Sequence, residues 1–490
     1  MTVAFPPSVR AAGRAALLGG LVLLLPASAT GQQGREAALS ALDARFAHMT
    51  DVAMEIWNLA ELGYLETESS ALLRSELSQA GFRIEAGVAG IPTAFVAEWG
   101  SGEPVLGILA EFDALPGINQ DAVPTRQPIE GKRAGHACGH HLFGTGSTHA
   151  AIAVKEWLEA SGTSGTIRLY GTPAEEGGSG KVYMARAGLF EDVDVVLSWH
   201  AGDSNFAGPS GNLAVKSAQF RFSGVSAHAA AAPEHGRSAL DGVESLNFMA
   251  NLMREHVPQE TRIHYVITSG GSAPNVVPDF AEVYYYVRHP DPEVVKDVFD
   301  RLVASAEGAA RGTGTTMEYE VIAGAYNRLP NVALQEVMHA NLETVGGVEY
   351  DAKDRAFAEA IRTSLNNPPP MDQAWAIQPF QFEQTYASAD TGDITWLVPS
   401  ANLSTATWVP GTAAHSWQAI AAGGTPIGAK GMLVAAKTLT LTAIDLYRTP
   451  ATIAAARAEF DERRGDAFVY EPLLGDREPP LDYRLPVAGR

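Results

Sequence analysis

The stretch Gly135-His136-Ala137-Cys138-Gly139-His140-His141 places three imidazoles and a thiol within six consecutive residues. Thiolate and imidazole are both strong ligands for a borderline-soft divalent ion, and such a density is rare for packing alone. A structural zinc knuckle is the alternative, but it wants a second cysteine pair, and Cys138 is the only cysteine in the chain. The stretch therefore reads as one part of a metal site.

Outward from it, short apolar runs alternate with helical periodicity. The runs at 93–98, 105–110, 166–170 and 193–198 are nearly continuous, with a helix expected over 146–159. Strands of that kind belong to a sheet covered on both faces, hence to an α/β domain with a central, mostly parallel sheet. Polar clusters follow three of the runs: Glu111 with Asp113, Glu175 with Glu176, and His200. The carboxyl ends of parallel strands form the rim on which sites are built, so these residues can converge. Helix capping would account for Glu175 or Glu176 alone, but not for histidines and a cysteine on the same rim. Adjacent carboxylates suit a division of labour. Glu176 can hold an ion while Glu175 takes a proton from water on that ion and returns it to a leaving amine. Two divalent ions would also polarise a scissile carbonyl, and the favoured reaction is amide hydrolysis without a covalent acyl-enzyme.

At Gly211 the texture changes. An alternating run at 214–222, a helical pattern at 237–255, runs at 263–268 and 281–287, a helix from about Glu293 to Ala304 and a run at 315–322 follow in turn. The order β-α-β-β-α-β is that of a ferredoxin-like α+β unit. The chain thus divides into a catalytic domain over 30–211 and 326–490, with an inserted lid or dimerisation domain at 212–325. Helices are expected over 35–79, 429–447 and 453–463, and the proline-rich run from Pro472 is expected to lie across the surface.

The 490 residues suffice for more than one core, and a formal charge of -21 argues against nucleic acid as a partner. An anionic substrate stays open, because arginines and metal ions in a cleft can reverse the local field. Arg10 and Arg14, the apolar run 15–25 and Pro26-Ala27-Ser28-Ala29 read as an export signal over 1–29. That run is too short to span a bilayer. The mature protein is expected in a periplasm or outside the cell, free of the membrane and without an internal disulfide.

The segments Glu111-Phe112-Asp113-Ala114-Leu115-Pro116, Gly135 to His140, Thr172-Pro173-Ala174-Glu175-Glu176-Gly177-Gly178 and His228 to Pro233 resemble the M20 metallopeptidase family. Within it they look like the aminoacylase and aminobenzoyl-glutamate-hydrolase branch, in the same order from about Ala38 to Leu446. The resemblance implies two divalent ions per chain, zinc first, with manganese, cobalt or nickel as alternatives. It implies Cys138, His140, Glu176, His200 and His415 as ligands, with Cys138 spanning both ions. Glu175 would be the general base, and Asp113 the carboxylate that orients a ligand imidazole. His228 would stabilise an oxyanion in the partner subunit of a homodimer built through the inserted domain, and Asn275 and Arg288 would bind a substrate carboxylate. The substrate class implied is an N-acyl or N-aroyl amino acid such as aminobenzoyl-glutamate. A dipeptidase of the same mechanism and a non-catalytic periplasmic binding protein are the alternatives. His141, where many relatives carry aspartate or asparagine, and the bulk of Phe143 depart from the pattern. Trp396, Trp408 and Trp417 are candidate aromatic walls.

Overall fold

The computed structural model describes residues 27–485. The stretch read as an export signal lies almost wholly outside the described residues. Two helices, α1 (Ala27–Leu59) and α2 (Thr67–Gln79), precede β1 (Arg83–Ala86), β2 (Phe95–Ser101) and β3 (Val105–Ala110). Then come α3 (His140–Ser161), β4 (Gly165–Gly171), α4 (Gly180–Arg186) and β5 (Val195–Gly202). The inserted unit comprises β6 (Ala214–Ser223), α5 (Ala239–Met253), β7 (Arg262–Ser269), β8 (Phe280–His289), α6 (Pro292–Thr313) and β9 (Thr316–Ala325). The first domain resumes with α7 (Val332–Val345), β10 (Ser400–Ala406), α8 (Trp417–Gly423), α9 (Pro426–Arg448) and α10 (Pro450–Arg464).

The large sheet has the order β1-β2-β4-β3-β5-β10. From β4 to β10 its strands run parallel, and β1 and β2 add an antiparallel edge. Every residue of β3 is buried, which is why its sequence is apolar without alternation. The chain leaves β3 toward β4 on one side and reaches β5 on the other, so the strand order reverses about β3. A crevice opens at such a switch point beyond the carboxyl ends of the strands. Helix α3 packs with α1 and α9 and is buried nearly all round as far as Leu158. It approaches so closely that a Cβ on Gly144 would lie 2.7 Å from the carbonyl oxygen of Glu111.

The inserted unit forms an antiparallel sheet of order β7-β8-β6-β9, with its own core between that sheet and α5 and α6. This is the ferredoxin-like arrangement the element order implies. Its edge strand β7 exposes Tyr265, Val266 and Ile267, and α5 exposes Phe248, Met249 and Leu252.

The carboxyl-terminal run departs from the expectation of a surface strap. Leu473 and Leu474 are buried, Phe468 and Tyr470 pack on Tyr326 where the domains join, and the Tyr470 hydroxyl donates to Asp393 at 2.8 Å. Arg477 donates to the Ile322 carbonyl at 2.6 Å and pairs with Glu320 on β9, while Arg186 on α4 donates to the carbonyl of Arg477. The prolines keep this segment extended, and extended backbone finds its partners in the crevice between the two domains.

Candidate active site

Each cluster marked in the sequence stands at the rim beyond β3, β4 or β5. Cys138 and His140 meet them at the amino end of α3, where Gly139 turns the chain with φ 77°. A Cβ there would lie 2.4 Å from that of Ala201, so the turn needs glycine on both counts. Of the three histidines in the opening stretch only His140 faces the rim. His136 bonds the Ile56 carbonyl at 3.0 Å and His141 that of Gly423 at 3.1 Å. His141 therefore lies beneath the site, and burial pushes its pKa down to about 3.

Three groups of ligand atoms form, each with all atoms within 4.8 Å of one another: Cys138, His140 and His200; Cys138, Glu176 and His415; Glu111, His140 and Glu175. Cys138 belongs to two of them. The outer nitrogen of each inner imidazole is engaged. His140 Nδ1 donates to Asp113 Oδ1 at 2.8 Å and His200 Nδ1 to the Ala201 carbonyl at 2.8 Å, which turns both Nε2 atoms inward. His200 Nε2 is 3.5 Å from Cys138 Sγ, and His415 Nε2 is 3.1 Å from Glu176 Oε1. His140 Nε2, Glu111 Oε2 and Glu176 Oε1 are buried without a hydrogen bond of good geometry. Orphaned donors of these types, converging from separate elements, fit a pair of divalent cations.

The second half of Asp113 steadies the opposite wall, where its Oδ2 accepts from the Glu176 amide at 2.9 Å. The 175–178 turn is held on all sides. Ala174 (φ 56°) donates its amide to Glu66 at 2.8 Å, Tyr64 donates to the Gly178 carbonyl at 2.6 Å, and Tyr483 donates to the Glu176 carbonyl at 3.1 Å beside a second donor from Arg484. Non-glycine residues at positive φ on both sides of the turn, Ala174 and Ser179, and His415 at φ 60°, mark strain kept where geometry matters.

Electrostatics divide the two glutamates. Burial pushes Glu175 well above the ordinary carboxylate range, helped by the charges of Glu111, Glu176 and Asp390 and opposed by Lys181. For Glu176 burial acts upward too, but the bond to His415 and the charge of His140 bring it below its ordinary value. Burial likewise raises the Cys138 thiol in the protein alone. Only a neighbouring cation makes it a thiolate, as suits a ligand and not a free nucleophile.

Sequence reasoning missed two buried cations. Lys181 Nζ lies 2.8 Å from Glu111 and 2.6 Å from Asp390, with all three side chains nearly inaccessible. Arg328 lines a cavity of about 220 Å³ with Phe143, Glu175 and His200, and its Nε has no partner. A second cavity of about 390 Å³ brings Arg288 and Tyr286 of the inserted unit to Glu175, Glu176 and His415. Arg288 lies over the Tyr286 ring at 5.3 Å, and its Nε is likewise unpartnered. His228 and Asn275 are elsewhere, together on an exposed edge of the inserted unit, where Ala229 donates to the Asn275 carbonyl at 3.0 Å. The tryptophans do not wall the cleft. Trp408 is buried beneath the Gly139 turn, Trp396 packs on Tyr326 and Phe468, and Trp417 lies against the main core. Phe143, Trp199, Phe206 and Tyr286 line the two cavities instead.

Residues 211–314 match the family model of a peptidase dimerisation domain. The whole chain is similar to a subunit of the p-aminobenzoyl-glutamate hydrolase of Escherichia coli, 39% identical over 83% of this chain and 90% of that one. The chain belongs to the M20 peptidase family. As an M20 member it is a hydrolase of the amidohydrolase and peptidase type, which answers the alternative of a binding protein. It is also 29% identical to the Xaa-Arg dipeptidase of Mus musculus, over 86% of this chain and 93% of that one. A dinuclear metal binding M20 peptidase from Bacillus subtilis shares the fold, with a TM-score of 0.56 at 18% identity, over 83% of this chain and 99% of the other.

Proposed function

We propose that the protein hydrolyses the amide bond joining an acyl or aroyl group to an acidic amino acid, with aminobenzoyl-glutamate as the representative substrate. The observation that carries this reading is the pair of ligand triads sharing Cys138, with Glu175 beside them and an unpartnered guanidinium in each adjoining cavity. Cys138, His140 and His200 would hold one ion and Cys138, Glu176 and His415 the other. When bound, two such ions acidify water and polarise a carbonyl oxygen. Glu175, free of the ligand role, accepts the proton of the attacking water and delivers it to the leaving amine. Arg288 and Arg328 each offer a carboxylate a charge-assisted, two-pronged grip in a desolvated setting. A substrate with two carboxylates can use both.

The dipeptidase relative supports a second reading, cleavage of a dipeptide by the same chemistry. Two free guanidiniums disfavour an arginine side chain in that role, because it would bring a like charge into either cavity. The exposed position of His228 and Asn275 leaves them useful only to another copy, and the apolar β7 edge and α5 face would form the two-fold contact of a homodimer. The leader-like residues 1–29 support export to a periplasm or beyond. The test is amide release by metal-stripped protein reconstituted with zinc, manganese, cobalt or nickel in turn. Turnover of p-aminobenzoyl-glutamate above that of Xaa-Arg dipeptides is expected. Faster cleavage of an Xaa-Arg substrate would overturn the acidic preference, and no metal-dependent turnover of either would overturn the whole reading.

A further inference from the structure

On the helical layer away from the cleft, α1, α2 and α3 each direct one ligand-type side chain at a common point. His48 Nε2 lies 2.7 Å from Glu76 Oε2, and His149 Nε2 lies 3.9 Å from the same oxygen. The three ligand atoms are all within 4.8 Å of one another. His149 stands nine residues beyond His140 on α3, a rise of about 13 Å along the helix, so the cluster is separate from the rim.

What sets it apart from a surface ion pair is His149. The residue is 1% exposed, and neither ring nitrogen has a hydrogen-bond partner. A buried imidazole with both nitrogens unsatisfied calls for an explanation, because desolvation without a partner is costly and most buried polar atoms are paired. Its burial keeps the ring neutral, with the pKa pushed down to about 3, the form that ligates metals. The cation of Arg45, one turn earlier on α1, is engaged by Glu156 and does not compete for Glu76. We propose that His48, Glu76 and His149 form a binding site for one divalent transition-metal ion, such as zinc or nickel, that clamps the three helices together. Two imidazoles and a carboxylate are a sufficient set for such an ion. Ligand atoms around tetrahedral zinc lie about 3.3 Å apart for bonds near 2.1 Å, between the two separations seen here. His48 is half exposed, so the ion would keep a solvent-facing position and exchange with the medium.

The test uses the full-length chain, stripped of metal and equilibrated with zinc, with bound ions counted after gel filtration. His149→Phe and Glu76→Gln are each expected to bind one ion fewer per chain than wild type while keeping amidohydrolase activity. Cobalt supplies a second readout that does not depend on the catalytic reading. The ion lost in these variants should carry visible bands of nitrogen and oxygen ligation without thiolate charge transfer, whereas ions at the cleft involve Cys138. Thermal unfolding in excess nickel should rise for wild type and stay flat for Glu76→Gln. If His149→Phe does not fold, Glu76→Gln and His48→Ala, both outside the buried core, decide the matter. Equal ion counts in wild type and the folding-competent variants would overturn the proposal.

Discussion

Replacing Lys181 by methionine removes the one cation shared by two buried carboxylates and keeps most of the side chain's volume. Glu111 and Asp390 flank Lys181 at 2.8 and 2.6 Å, and the Lys181 amide also donates to Asp390 at 2.9 Å. For Glu111, burial acts upward but the charges of Lys181 and His140 hold it well below the ordinary range. For Asp390, burial keeps the carboxyl above its ordinary value although Lys181 draws it down. Removing one partner of a buried pair costs about 3–5 kcal/mol, because the charge left behind has neither water nor a counter-ion. Lys181→Met should therefore lose stability of that order near neutral pH.

The loss should depend on pH in a definite sense. Without the lysine, the folded-state pKa values of Glu111 and Asp390 rise above their unfolded values. Stability is then greatest at low pH, where both carboxyls are protonated, and falls as pH rises through the new folded values. Lys181 also lowers Glu175, so the acidic limb of kcat/KM should move to higher pH in the variant. Urea unfolding of metal-loaded wild type and variant between pH 5.5 and 8.5 measures the first effect, and the pH–rate profile the second. Adding Asp390→Asn should return more than half of the lost stability by removing one uncompensated charge. A loss below about 1 kcal/mol that does not vary with pH would refute the reasoning, since surface-like pairs behave so.

Glu175→Gln should keep the bound ions and lower turnover by more than ~100-fold, the order expected for a general base; metal analysis alongside kcat checks it. Burial raises Asp393 from 3.8 to about 7, so its stabilising contribution is fully present below pH 3.8 and lost as pH rises through 7. Asp393→Asn, which cannot ionise, should remove a slope worth on the order of 4 kcal/mol across that window, read as the difference between wild-type and variant unfolding curves. Tyr483→Phe with Arg484→Ala removes both tail donors to the Glu176 carbonyl and should weaken ion affinity by about 10-fold, measured by chelator competition. Mixing His228→Ala with Glu175→Gln chains should restore activity after subunit exchange, because one of the two sites then carries neither defect. Inactive heterodimers, verified by mass, would assign His228 to its own chain.

The rim was legible because periodicity reports faces and ends. Apolar runs without alternation locate buried parallel strands, and the first polar residues after them, Glu111, Asp113, Glu175 and Glu176, must emerge at the carboxyl edge whatever the order of the strands. The inserted unit was legible for a similar reason, since its apolar stripes change period from strand to helix at each element. Partnership across the chain is a different kind of information. Lys181 bonds Asp390 from 209 residues away, and in sequence it is an ordinary lysine at the start of a short helix. Arg328 and Arg484 are equally plain, yet each ends beside a catalytic glutamate once the domains close on one another. Tryptophans near His415 in sequence suggested cleft walls, but Trp408 fills the space beneath Gly139, where bulk supports the turn rather than the substrate. Buried charge is thus where a single sequence misleads most, because a charged residue reads as solvated until topology supplies its counter-ion. For this protein that counter-charge runs without a break from Asp390 through Lys181 and Glu111 to His140. A change at the back of the network should therefore be felt at the ligand imidazole, which is why Lys181, and not a residue of the rim, is the most informative position to disturb.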